Sequence, residues 1–193
     1  MQRVADAAAR KGVTLDFRLM RASTLTDEEL AATLGVELGQ IVKCLVCVAP
    51  RPGGRVIPVV CLVSSRNRLD LDLLAAVTGE MGIRETTAQE ARALFGYPVR
   101  GVPPFGHGHD VRTVMDQSLG RYEWLWAAAG ADSAILRIAP RALAMLSGAL
   151  VAPVAQASWM RPSAVRLIGP SPFRGRIRRA ERARRPRAGE GPS

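Results

Sequence analysis

Two apolar runs separated by a tight turn constrain this chain more than any other feature. The first lies within "GQIVKCLVCVA", Gly39–Ala49, and the second is "VIPVVCLVS", Val56–Ser64; Pro50-Arg51-Pro52-Gly53-Gly54 stands between them. Both runs are rich in β-formers and bounded by turn residues, so the pair reads as a hairpin with a longish loop. Pro58 cannot donate to a ladder, which places an edge or a bulge near the start of the second strand. Lys43 interrupts the first strand. Burying an ammonium is expensive unless something anionic meets it. Among 27 basic residues only Lys11 and Lys43 are lysines. Arginine is the default cation of this chain, and a compact ammonium is not interchangeable with a planar guanidinium. Lys43 therefore has two readings. It is an edge lysine snorkelling to water, or a cation on the wall of a pocket for an anionic or carbonyl-bearing ligand.

Helical and strand signals alternate around the hairpin. Residues 2–11 read as a short helix stopped by Gly12, and Thr14–Met20 as a strand. Thr26 with Glu29, and Thr87 with Glu90, form two capping boxes that open helices ending at Gly35 and Gly96. A third helix runs from about Asp70 to Thr78, and Pro140 opens a last one. Strands are expected at Ile83–Thr86, at "RTVMD" ending on Asp116, and at Glu123–Ala128 and Ser133–Ile138, joined at Gly130-Ala131-Asp132. The fold class is a mixed α+β arrangement, with a largely antiparallel sheet and helices packed around it.

The net charge of +10 is unevenly placed. Residues 1–150 hold 17 basic and 15 acidic side chains, whereas residues 151–193 hold 10 basic and 2 acidic. The globular part is thus residues 1–150. Residues 151–193 form a Pro/Arg-rich basic tail that is expected to be disordered. The eight arginines of Arg174–Arg187 are either contacts for RNA phosphates or a solubilising extension. Cys44, Cys47 and Cys61 are odd in number and lie in apolar strands, which points to a reducing compartment rather than a disulfide framework. Cys44 and Cys47 stand three apart in a strand and so point to opposite faces, which argues against a redox or metal pair. No apolar core of a secretory signal and no run long enough to span a membrane is visible, so the expected location is cytoplasmic.

Arg100–Asp110, "RGVPPFGHGHD", packs three glycines and two prolines into eleven residues and cannot be regular structure. Its backbone amides could approach a ligand closely. Phe105 could stack on a base or cap the core. His107, His109 and Asp110 suggest a metal at first glance, but nothing supplies a convincing further ligand, so no metal or other cofactor is expected. Asp116 either caps the turn into Ser118–Arg121 or polarises a site group. No nucleophile elbow, Walker A loop, dinucleotide fingerprint or zinc-protease helix is present, which excludes the common hydrolase, kinase and dehydrogenase machinery.

"STLTDEELAATLGVELGQIVKCLVCV", "PVVCLVSSRNRLDLDLLAAVTG", "TAQEARALFGYPVRGVPPFGHG" and "VMDQSL", in this order, resemble the YbaK/EbsC family of aminoacyl-tRNA editing proteins. The resemblance covers about residues 2–150. The I-V-K-x-L strand and the G-x-x-P-F-G-H loop are its most specific elements. It implies a mixed sheet curled into a partial barrel, and a trans-acting deacylase that hydrolyses the ester between a wrong small amino acid and the 3′ end of a tRNA. It implies that Lys43 contacts the tRNA terminus or aminoacyl group. Gly101 positions substrate or water, Asp116 is the family aspartate, and Val102, Pro104, Phe105, Gly106 and His107 shape the substrate pocket. A synthetase is a further partner in this reading. Two departures stand out. Cys44 follows the lysine where Ser or Thr is common, and because it points away from the Lys43 face a packing change is expected. The loop reads Arg100-Gly101-Val102-Pro103-Pro104 where cysteine editors read G-G-x-S-P, which leaves the amino acid open among cysteine, alanine and other small residues. Two rival readings are a non-catalytic tRNA- or synthetase-binding module and a metal-dependent hydrolase built on His107, His109 and Asp110.

Overall fold

The computed structural model describes residues 1–20, 26–97, 101–131 and 133–157. In chain order these form α1 (Gln2–Ala9), β1 (Asp16–Leu19), α2 (Asp27–Leu34), β2 (Val42–Pro50), β3 (Val56–Ser64), β4 (Asn67–Leu69) and α3 (Leu71–Thr78). There follow β5 (Arg84–Glu85), α4 (Ala88–Phe95), β6 (Arg112–Asp116), β7 (Leu125–Ala131), β8 (Ala134–Ile138), α5 (Pro140–Ser147), β9 (Leu150–Ala152) and β10 (Ala155–Ala157). The local signals act as their chemistry requires. Thr26 and Glu29 exchange reciprocal hydrogen bonds at the start of α2, and Thr87 and Glu90 do the same at α4. Each pair satisfies two donors that a helix N-terminus would otherwise leave orphaned.

The hairpin forms as expected. β2 and β3 pair antiparallel from Val42–Ser64 to Pro50–Val56. β6 joins β3 in parallel only from Val59 onward, so Pro58 sits at an outer edge where no ladder bond is lost. With β5 beside β2 and β9 beside β6, these strands make a five-stranded sheet of order β5-β2-β3-β6-β9. A second sheet has the order β1-β8-β7 and is antiparallel. A third pairs β10 with β4.

The expected single sheet curled into a partial barrel is corrected by this topology. The strands form three separate sheets, and no curled or barrel-like sheet is found among the described residues. The reason lies in the hydrogen bonding. Where the five-stranded and three-stranded sheets approach, one isolated bridge, Ile41 to Trp126, stands in place of a continuous ladder. Side chains fill the space between them. Val42, Val46, Val60 and Leu62 meet Leu125, Ala127, Leu136 and Ile138 there, closed off by Val4 of α1, Phe95 of α4 and Leu143 of α5. A second core covers the other face of the five-stranded sheet, where Cys47, Val59, Cys61 and Val63 meet Leu74 of α3. β2 and β3 are thus apolar on both faces, which is why their sequences run almost without polar interruption.

Gly39 lets the chain enter β2. A Cβ built there would lie 1.8 Å from the Tyr122 hydroxyl, so no side chain fits without moving that ring. The far boundary also needs correction. Residues 151–157 were expected in the tail, yet β9 runs parallel to β6 and β10 pairs with β4. Val154 between them is fully buried, and its N–H donates to Asp116 Oδ2 at 3.0 Å. Pro153 and the alanine-rich composition hide these two short strands from a composition-based reading. The rest of the expected tail, 158–193, lies outside the described residues.

A chain ending at residue 150 is therefore expected to lose about 2 kcal/mol or more of stability, from the lost burial of Val154 and its hydrogen bond. That corresponds to a fall in Tm of about 4–8 °C. A chain ending at residue 160 should melt like the full chain. Equal melting of the two truncated chains would show that β9 and β10 contribute nothing.

Candidate active site

A gap in strand pairing creates the site. On its outer flank β2 meets β5 only at Cys47–Glu85 and Val48–Arg84. Thr86 then closes that end, donating both its N–H and its hydroxyl to the Val46 carbonyl at 2.9 Å. The other end is held by the Ile41–Trp126 bridge. Between the two, no strand lies against this flank of β2 among the described residues. A cavity of about 290 Å³ opens there, lined by Val42–Val46, Asp27, Glu85, Thr86, Ala91, Val102 and Ala128. Sites for drug-sized ligands occupy roughly 300–1,000 Å³, so this recess suits a small group rather than a whole nucleotide.

Lys43 sits half-buried on its wall. Its Nζ donates to the main-chain carbonyl of Asn67 at 2.7 Å. Burial pushes its pKa below the usual lysine value, while Asp27, Glu85 and Glu28 pull it back up. The strand pattern places Lys43 with Leu45 and Cys47, on the face of the second core, and Cys44 with Val42 and Val46 on the other. Cys44 and Cys47 thus point to opposite faces as expected. Burial holds the Cys44 thiol up at about 12, so it is not a thiolate nucleophile near neutrality. Cys61 is likewise raised, through its hydrogen bond with Cys47 and its burial.

The Pro-Gly loop divides between two places. Gly101 to Phe105 are all buried. Val102 faces the Lys43 cavity, with Gly101 one residue away. Phe105 is 3% exposed and packs in the larger core, as in the core-capping alternative rather than the base-stacking one. Phe105, Gly106 and His107 line a different cavity of about 240 Å³, together with Arg10 and Lys11 next to α1 and Ser147 of α5. Gly106 adopts φ +80°, and a Cβ there would lie 2.9 Å from the Arg3 carbonyl oxygen. Its smallness serves the docking of α1. His107 stands edge-on to Phe95, with ring centroids 5.0 Å apart, and neither of its buried ring nitrogens has a hydrogen-bond partner among the described residues. Among the described residues no three His, Cys, Asp or Glu side chains gather as a metal site. Asp116 is buried behind the sheet, where its carboxylate accepts from Ser118 N at 3.0 Å, from the Ser118 hydroxyl and from Val154 N.

Lys43 and Val102 are therefore brought together, Gly101 lies next to them, Pro104 is packed inside, and Phe105, Gly106, His107 and Asp116 stand elsewhere. Asp27, Glu85, Ala91 and Ala128 line the cavity without having been singled out beforehand. They fall inside helices and strands expected from the sequence, and nothing local distinguishes them.

Residues 22–146 match the family described as the aminoacyl-tRNA editing domain. The chain belongs to that family, in its YbaK/EbsC group. A candidate Cys-tRNA(Pro)/Cys-tRNA(Cys) deacylase, EbsC of Enterococcus faecalis, is 29% identical over 123 residues, covering 64% of this chain and 73% of the relative. YwhH of Bacillus subtilis is 28% identical over 145 residues, covering 68% of this chain and 81% of its own. A crystal structure described as a candidate trans-editing enzyme for prolyl-tRNA synthetase superposes with a TM-score of 0.71 at 38% identity, covering 80% of this chain and 96% of that one. The editing family implies an aminoacyl-tRNA substrate. No helix among the described residues is long and apolar enough to cross a membrane.

His107 gives a pH test of the loop's packing. Its pKa falls from 6.5 to about 4, chiefly through burial and secondarily through His109. The unfolded chain then binds the proton more readily than the folded one, so the contribution of His107 is complete above about pH 6.5 and is lost as pH falls toward about 4. His107→Leu, which removes two buried nitrogens without partners among the described residues, should be neutral or stabilising at pH 7 and should flatten this part of the stability profile. An unchanged acid slope in denaturant titrations at several pH values would overturn this account.

Proposed function

We propose that the chain is a trans-acting deacylase that hydrolyses the ester of a tRNA misacylated with a small amino acid, of the Cys-tRNA(Pro) or Ala-tRNA(Pro) type. The observation that carries this reading is the meeting of Lys43 and Val102 at a small cavity whose other walls include Ala91 and Ala128. Family membership supplies the substrate class. The names of EbsC and of the candidate prolyl trans-editing enzyme support the choice of tRNA and amino acid.

The chemistry asks little of the protein. Water attacks the acyl carbon, the bond to the ribose oxygen breaks, that oxygen takes up a proton, and a free amino acid and tRNA leave. An aminoacyl ester is already activated, so positioning and stabilisation of the oxyanion suffice. In this reading the Lys43 ammonium meets the developing oxyanion or the terminal phosphate, and the Gly101–Val102 backbone holds the carbonyl or the water. In this reading the protein works in the cytoplasm. A basic tail beyond the globular unit adds contacts to tRNA phosphates, and a synthetase that releases mischarged tRNA is the natural partner.

The test is a panel of tRNAs mischarged with alanine, cysteine, serine and other small residues. Lys43→Ala should slow hydrolysis at least about a hundredfold, the usual loss when one stabilising donor is removed, with Tm nearly unchanged. Because burial lowers the Lys43 pKa, the enzymatic rate, corrected for spontaneous hydrolysis, should decline on the alkaline side below the free-lysine value of 10.5. Tight tRNA binding without turnover of any ester would replace the deacylase with a binding module.

A further inference from the structure

Lys43 holds a long flexible stem in a half-buried place, and something must fix its head. The acceptor is the main-chain oxygen of Asn67, 2.7 Å from Nζ. A neutral carbonyl orients the ammonium without cancelling its charge, which leaves that charge available to an anionic substrate atom. The question is then what fixes Asn67. The residue is 9% exposed, and its Nδ2 donates to the Ser118 hydroxyl at 2.9 Å. That hydroxyl donates in turn to Asp116 Oδ1. Asp116 is 2% exposed and is held from both sides, by Ser118 N on Oδ1 and by Val154 N on Oδ2, each at 3.0 Å.

The direction of each bond follows from chemistry. A carboxylate can only accept, so the Ser118 proton points to Asp116 and the oxygen's lone pairs remain for Asn67. Only the NH2 end of the Asn67 amide can use them, which fixes its orientation.

We propose that Asp116, Ser118 and Asn67 are positioning residues that act as one relay to hold the Lys43 ammonium in its working place. None of the three lines the Lys43 cavity among the described residues. The proposal rests on the deacylase reading for its kinetic consequence, but the relay itself is a physical arrangement that can be observed without any substrate.

Ser118→Ala breaks the relay at its middle and leaves Asp116 free to accept from Ser118 N and Val154 N, so the fold is retained. Hydrogen bonding to the Asn67 carbonyl favours the charged lysine, so loosening that bond lowers the Lys43 pKa further. The carboxylates that pull it upward, Asp27 and Glu28 of α2 and Glu85 of β5, are untouched by the substitution. The chain has only two lysines, so protein carrying ¹³C-lysine shows two titrating Cε signals, with Lys11 as the internal control.

In Ser118→Ala the Lys43 signal should titrate at lower pH than in the parent while Lys11 does not move. kcat on the mischarged tRNA that the parent hydrolyses best should fall about tenfold to a hundredfold, with KM within about twofold. The alkaline limb of kcat should move down with the Lys43 titration. Ser118→Thr, which keeps the hydroxyl, should restore both titration and rate. A Lys43 titration identical to the parent's in Ser118→Ala overturns the relay, whatever happens to Tm. A shifted titration in a protein whose parent hydrolyses no ester upholds the relay and removes the deacylase reading instead.

Discussion

Nine consecutive residue pairs, from Val42–Ser64 to Pro50–Val56, lock β2 to β3. The rest of the molecule is arranged around that register. In a strand successive side chains alternate faces, so a slip of one residue would exchange the two faces wholesale. Val42, Cys44 and Val46 would leave the larger core, and Lys43 would enter it with its charge. Because both faces of β2 are buried, neither core could tolerate the exchange. The positive charge at the cavity is therefore held on its side of the sheet by apolar burial along the whole hairpin, with the Asn67 carbonyl adding only the last adjustment.

Much of this could be read directly from residue order. The hairpin, the two capping boxes and the opposed cysteines are local patterns, governed by neighbours within a few positions. Lys43 stood out because a rare residue occupied an apolar strand. What could not be read depends on partners far away in the chain. Whether the strands close into one curled sheet or divide into three turns on the contact of Ile41 with Trp126. β9 and β10 exist because β6 and β4 offer them edges. Their own residues carry little strand signal.

The Pro-Gly loop shows a subtler limit. Its composition announces backbone proximity to something, but not to what. The structure divides the answer: Val102 lines the cavity that Lys43 also lines, whereas Gly106 is small because the backbone of α1 presses against it. Two neighbouring positions in one motif thus meet unrelated demands, and only the tertiary packing separates them. Asp116 is a similar case. A turn cap and a group that polarises the site looked like alternatives in the sequence, yet its carboxylate caps Ser118 while contacting the same hydroxyl that receives Asn67.

The wall formed by Ala91, Val102 and Ala128 has a consequence of its own. Methyl groups and a short branched side chain offer no hydrogen bond by which to prefer one acyl group over another of the same bulk. Such a surface cannot choose by attraction, because one methylene more or less is worth only about 1–3 kcal/mol in an apolar pocket. It can only refuse what does not fit. In the proposed deacylase that wall would select by size alone, at a limit set by the Cβ atoms of two alanines, while Lys43, Asp27, Glu85 and Thr86 supply the polar contacts of the same cavity.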